Sequence, residues 1–68
     1  MSVLQSIITE KCELDKRLTN LTNFVKGIQF YYLDINERNR LRIQHQIMIE
    51  YSDILKDRIA AFREDIPF

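Results

Sequence analysis

The 68 residues contain one cysteine, one glycine, one proline, one histidine and no tryptophan. The single Cys12 excludes an intrachain disulfide, and one Cys with one His falls short of the four ligands a structural zinc site normally takes. No apolar run exceeds four residues, so neither a transmembrane segment nor the apolar stretch of a signal peptide is present, and the chain is expected to be soluble and intracellular. Asn20-Leu21-Thr22 matches a glycosylation sequon, but without a secretion signal it reads as chance. Ten basic residues stand against ten acidic ones. That balance argues against a protein that coats DNA or RNA polymers, which would be strongly basic, while leaving room for a small anion held by a few local Arg or Lys. There is no Gly-rich phosphate loop, no repeat and no linker.

What is present is two long amphipathic stretches. Ser2 stands where a helix cap is expected, and a helix is predicted over about residues 3–26. Leu4, Ile7, Leu14, Leu18, Leu21, Val25 and Ile28 keep a heptad register broken at Lys11, with Ile8, Cys12 and Phe24 widening the seam. At about 1.5 Å per residue this is a rod of about 36 Å. Gly27 follows, where a left-handed C-cap is expected. The connection, about residues 27–34, is oddly aromatic. Phe30 and Leu33 are expected to plug the closed end of a hairpin, and Tyr31 or Tyr32 would suit a subunit contact or the face of a base. Asp34 and Glu37 resemble a capping box, with Leu33 placed to staple, for a second helix over about 35–63. The tail from Glu64 to Phe68 is expected to fray, since Pro67 cannot continue the ladder.

The second helix is the unusual one. Leu41, Met48, Tyr51, Leu55 and Phe62 form one seam, which the polar Gln44 and Arg58 interrupt. Ile43, Ile47, Ile54 and Ala61 form a second stripe beside it. Two apolar stripes on one helix both need burial, and a single partner helix covers one. The fold class is therefore all-α: an antiparallel two-helix hairpin, one domain over 1–68, assembling into a homo-oligomeric helical bundle. Small scaffolds usually need disulfides, a metal or oligomerisation, and the first two are missing. Ordering the backbone costs about 1–2 kcal/mol per residue, which one contact face between two helices cannot offset. Pairing Lys26 with Ile35 as a rough register places Lys11 near Glu50, where an ion pair would account for the break in the seam, and Arg17 near Gln44.

No catalytic constellation is found, and none is expected: the chain does not read as an enzyme and calls for no cofactor. His45 lies between Gln44 and Gln46, neither of which orients an imidazole as a buried carboxylate does, so it reads as a surface or boundary residue. Cys12 reads as a small apolar filler. Glu10 with Glu13, and Asp53 with Asp57, share helix faces with Lys16 or Arg17 and with Lys56, so solvated charge pairing is expected of them. The arginines are more informative. Arg38, Arg40 and Arg42 crowd the start of the second helix, where solubility and pairing to Glu37 account for them. Arg58 stands on an apolar seam between Leu55 and Phe62. An arginine there either snorkels or is aimed at an anion; repeated around the axis of a symmetric oligomer it makes a ring suited to phosphates. Lys16-Arg17 is a second basic pair.

The order Ile8-x-Glu10-Lys11-x-Glu13-Leu14-Asp15-x-Arg17-Leu18-x-x-Leu21-x-x-Phe24, followed by Phe30, Leu33, Glu37-Arg38, Leu41, Gln44, Met48, Tyr51-Ser52, Leu55 and Arg58-Ile59, resembles a small bacteriophage helical-hairpin family. That family includes the anti-CBASS cyclic-nucleotide sponges and the N-terminal hairpin of an anti-Thoeris sponge. The resemblance covers nearly the whole chain. Its most specific parts are the segment from Glu10 to Asp15 and the spacing from Gln44 through Met48, Tyr51-Ser52 and Leu55 to Arg58-Ile59. It implies a homo-hexamer in the cytoplasm of an infected bacterial host, which binds cyclic oligonucleotides without cleaving them and so withholds a signal from a defence effector. Cyclic dinucleotides would sit between subunits against an aromatic ring and a first-helix base, and cyclic trinucleotides near the axis against a second-helix arginine. By register the axial arginine falls on Arg58 and the first-helix base near Arg17, with Asn20 one turn further on as a polar contact. The family's aromatic residue near the N-terminus falls on or near Val3, where this chain departs from the pattern. The alternative is a structural or adaptor hairpin that mediates self-assembly or binds another protein's helix.

Overall fold

The computed structural model describes residues 2–64, with side chains through 62. It is a hairpin of two antiparallel helices, 54 Å long and 16 Å across. Helix α1 runs Val3–Lys26, a short 3-10 turn spans Ile28–Tyr32, and α2 runs Ile35–Glu64. Among the described residues there is no strand, and no helix is long and apolar enough to cross a membrane. The expected fraying from Asp65 to Phe68 lies outside the described residues, and α2 takes in Glu64, one residue beyond its predicted end.

The helix starts are set by side chains. Ser2 Oγ accepts from the Gln5 amide at 3.1 Å, satisfying one of the first-turn donors that have no partner within the helix. Asp34 Oδ2 accepts from the Asn36 amide at 3.1 Å. The reciprocal half of the capping box is absent: the Glu37 carboxylate holds Arg40 Nε at 2.9 Å instead. Gly27 also departs from expectation. Its φ of −87° and ψ of 164° are extended, not left-handed. The Gly27 amide donates to the Phe24 carbonyl at 3.0 Å, and the chain then turns outward into the 3-10 segment. No positive φ is needed, because that segment, closed by the Leu33 amide on the Phe30 carbonyl at 3.2 Å, makes the reversal itself.

The core is thin. Among the described residues Ile7, Phe30 and Leu55 are the buried apolar side chains, and Phe30 and Leu55 are covered completely. Phe30 plugs the closed end as expected, with Phe24 against it edge-on at 6.3 Å. Leu4, Leu14, Leu18, Leu21, Val25, Leu41 and Met48 are half-buried along the seam, whereas Ile28, expected to continue it, is exposed. Cys12 is exposed and does not fill the interface. On α2 the second stripe is open: Ile43, Ile47 and Ile54 are each more than half exposed.

The register follows the simple pairing of Lys26 with Ile35 to within a turn: Glu10 faces Tyr51 at the same offset, and the Lys11 contact is displaced by two residues. Lys11 meets Ser52, not Glu50, and Thr22 Oγ1 lies 2.7 Å from His45 Nε2.

Because Gly27 has ordinary backbone angles, and a Cβ there would approach only the carbonyls of Phe24 and Asn23 at 3.4 and 3.5 Å, Gly27→Ala is expected to keep stability unchanged or raise it by up to about 1 kcal/mol through the unfolded chain's lost freedom. A urea midpoint measured by circular dichroism checks this. A large loss would restore the left-handed cap.

Candidate functional site

The seam divides the hairpin into two flanks. On one, Lys11 Nζ donates to Asp15 Oδ2 at 2.8 Å and to Ser52 Oγ at 2.8 Å, and Ser52 Oγ donates to Asp15 Oδ1 at 2.6 Å. Lysine and aspartate are one turn apart on α1, which puts them on one face, and the serine comes across from α2. Each of the three side chains is hydrogen-bonded to both of the others. This closed triangle explains the break in the heptad register: Lys11 stands at a seam position because a buried serine faces it. The Thr22–His45 contact lies further along the same flank, toward the closed end.

Asp15 is consequently perturbed. The Lys11 ammonium, then the Ser52 hydroxyl, hold its carboxyl below the ordinary value of 3.8, against a smaller opposing effect of burial. Its side chain remains partly exposed, so solvent screens much of this interaction.

The other flank carries the residues singled out for binding. Val3, Glu10, Arg17 and Phe24 recur every seven residues on α1. From α2 the Tyr51 hydroxyl donates to the Glu10 carboxylate, which fixes the level at which the helices face each other. Glu10 therefore takes a tyrosine, not the neighbouring base expected of it. Seven residues beyond Tyr51 stands Arg58, exposed, four residues after Ile54 and three before Ala61. Arg58 thus borders the open isoleucine stripe. It is not enclosed between Leu55 and Phe62, because Leu55 turns fully into the hairpin.

Arg17 and Asn20 are also exposed and share one side of α1. Within one chain, however, Arg17 and Arg58 do not converge. They lie seven residues to either side of the Glu10–Tyr51 level on antiparallel helices, so roughly 21 Å separates them along the axis. The hairpin presents two basic positions, one beside each half of the open face. Among the described residues no cluster of three or more His, Cys, Asp or Glu side chains is arranged to hold a metal.

Both segments that gave the resemblance its specificity meet in the triangle: Lys11 and Asp15 come from the first, Ser52 from the second. The family model of Sequestin matches residues 1–61. The chain belongs to the Sequestin family. The match takes in all of α1, the turn and α2 through Ala61, including Arg17, Asn20 and Arg58. No curated protein and no solved structure matches the chain.

Ser52 escaped sequence reasoning as a cross-helix contact. The signal was available: a serine four residues after Met48 and three before Leu55 occupies a seam position, as Lys11 does on the facing helix. Two polar residues at seam positions of opposed helices are a pair.

The depressed Asp15 carboxyl sets a pH dependence. Its contribution to stability is present above the ordinary carboxyl value and is lost as pH falls through the lower folded value. Asp15→Asn is therefore expected to unfold at lower urea than the parent at pH 7, with the gap closing in acid. A gap independent of pH would contradict the triangle's role.

Proposed function

We propose that this member of the Sequestin family captures a cyclic oligonucleotide second messenger and holds it without cleaving it, as a homo-oligomer, the hexamer that the sponge resemblance implies, in the cytoplasm of a phage-infected bacterium. The membership of the family, whose name speaks of sequestration, carries the reading. Its physical support is the position of Arg58 beside an apolar stripe that the hairpin leaves open. A sponge runs no reaction. It needs affinity and abundance, and no residue that lowers a barrier.

The proposed geometry follows from the open face. Copies that cover Ile43, Ile47 and Ile54 against one another bury about 1.5–3 kcal/mol of apolar side chain at each position and bring the bordering Arg58 side chains together. Guanidinium groups around an axis present paired donors to the phosphates of a cyclic trinucleotide, each charge-assisted bond contributing about 1.5–3 kcal/mol. Arg17, about four helical turns from Arg58 along the hairpin axis, belongs with Asn20 to a second pocket between subunits. The dinucleotide pocket of the resemblance places an aromatic ring at Val3. Here that position is an exposed valine, which offers no ring for stacking, so the trinucleotide is the favoured ligand.

Calorimetry with a panel of cyclic di- and trinucleotides tests this. A trinucleotide is expected to bind, and Arg58→Ala to weaken it by tenfold or more while the oligomer's mass is unchanged; Arg17→Ala is expected to spare it. Unchanged affinity in Arg58→Ala would overturn the site. No binding by any ligand at tens of micromolar would turn the reading to an adaptor hairpin.

A further inference from the structure

The closed end of the hairpin carries a charge and aromatic arrangement that the proposed pockets do not use. From Lys26 to Arg42 there are four basic residues and two acidic ones, so this end holds two net positive charges while the rest of the neutral chain holds two net negative ones. Both acids are occupied: Asp34 caps α2 and Glu37 pairs with Arg40. Of the basic residues, Lys26 ends α1, and Arg38 and Arg42 are left on α2. They lie one turn apart on the same side of α2, and neither has a carboxylate within ion-pair distance among the described residues.

Both guanidinium groups are positioned. Arg42 stands 5.0 Å over the centre of the Phe30 ring, a cation–π contact that favours this placement, while the residue stays exposed. The Phe30 ring is itself locked, fully buried with Phe24 edge-on. The Nε of Arg38 is covered and makes no hydrogen bond, and its terminal nitrogens enter none of the hydrogen bonds found among the described residues. A covered, unpaired donor on a charged group is costly, and a cation in the first turns of a helix gains nothing from the macrodipole. Helix stability therefore does not explain these two arginines. Tyr31 completes the group. Its ring meets Phe30 edge-on at 5.7 Å while most of it faces solvent.

We propose that Arg38, Arg42 and Tyr31 form a nucleotide site at the closed end, in which the two guanidinium groups take a phosphate and the Tyr31 ring stacks on the base. Phe30 acts as a positioning residue, holding Arg42 and Tyr31 around one ring. The site is distinct from the Arg58 pocket: sixteen residues of α2, about 24 Å, separate Arg42 from Arg58. The ligand chemistry is that of any nucleoside monophosphate unit, free or at the end of a short strand.

Titration of the full chain with adenosine 5′-monophosphate tests the site, read by calorimetry and by tyrosine fluorescence, since two of the three tyrosines lie at this end and there is no tryptophan. The expected result is binding with altered tyrosine emission, stronger than that of adenosine or inorganic phosphate alone. Arg38→Gln and Arg42→Gln should each weaken it about tenfold, the loss of one charge-assisted contact. Arg42→Lys, which keeps the charge but loses the planar fork, should weaken it too and guards against a folding defect. Tyr31→Leu should remove the advantage over inorganic phosphate, and Arg58→Ala, though it weakens the trinucleotide, should keep the monophosphate bound at the closed end. Tetraadenylate in the same assay separates the sources: tighter binding than the monophosphate assigns a strand, equal binding a free nucleotide, and either supports the site. Absence of binding at millimolar monophosphate, unchanged affinity in both Arg42 variants, or loss of binding in Arg58→Ala would overturn it. So would a change of oligomeric mass in Tyr31→Leu without nucleotide binding, which would make the closed end a subunit contact.

Discussion

Two helices side by side can cover only one stripe of each other. That limit governs this chain. Leu55 and Ile7 disappear into the shared seam, and Phe30 seals one end, but the seam is a single line of half-buried leucines, and α2 carries a second line that has nothing against it. Interiors stabilise through dense contact on all sides of a side chain, and most of the apolar side chains here have contact on one side only. The fold is fully determined in outline and incomplete in burial. The proposed assembly is the physical response to that shortfall.

Within the seam, polar contacts supply what the thin core does not, which is register. A heptad seam between two smooth helices can slide by a turn with little change in apolar contact. The Lys11–Asp15–Ser52 triangle cannot, because displacing it leaves an ammonium and a carboxylate without their cross-helix partner. Glu10 with Tyr51 on the opposite flank and Thr22 with His45 nearer the closed end add two further fixed points. Ser52 is the buried member of these contacts, and polar groups at such seam positions are best attested as register devices. Here the register in turn sets the level of Arg58 against α1, so the triangle reaches the proposed binding function without touching the ligand.

The helices, the caps at Ser2 and Asp34, the plug at Phe30 and the open stripe at Ile43, Ile47 and Ile54 were legible because each follows from local periodicity or from one residue's chemistry. The register was legible to within a turn, as Glu10 facing Tyr51 shows, but the polar partner of Lys11 was not, and neither was the 3-10 turn over residues 28–32, which apolar spacing does not reveal. Ser52 was overlooked because serine carries no apolar signal, and Gly27 was misassigned because a glycine after a helix is usually, not always, left-handed. Arg17, Asn20 and Arg58 are exposed, and the simple register, which set Arg17 near Gln44, already implied the separation of the two arginines that the Glu10–Tyr51 contact gives.

The open stripe is the feature on which the proposed function rests, because an isolated hairpin has no pocket between subunits. Sedimentation equilibrium of the full chain, run across a dilution series with helicity followed in parallel, tests it most directly. A mass that is a multiple of 8.2 kDa, with helix content falling as the assembly dissociates, is the expected result. A folded, helical species of 8.2 kDa at micromolar concentration would contradict it.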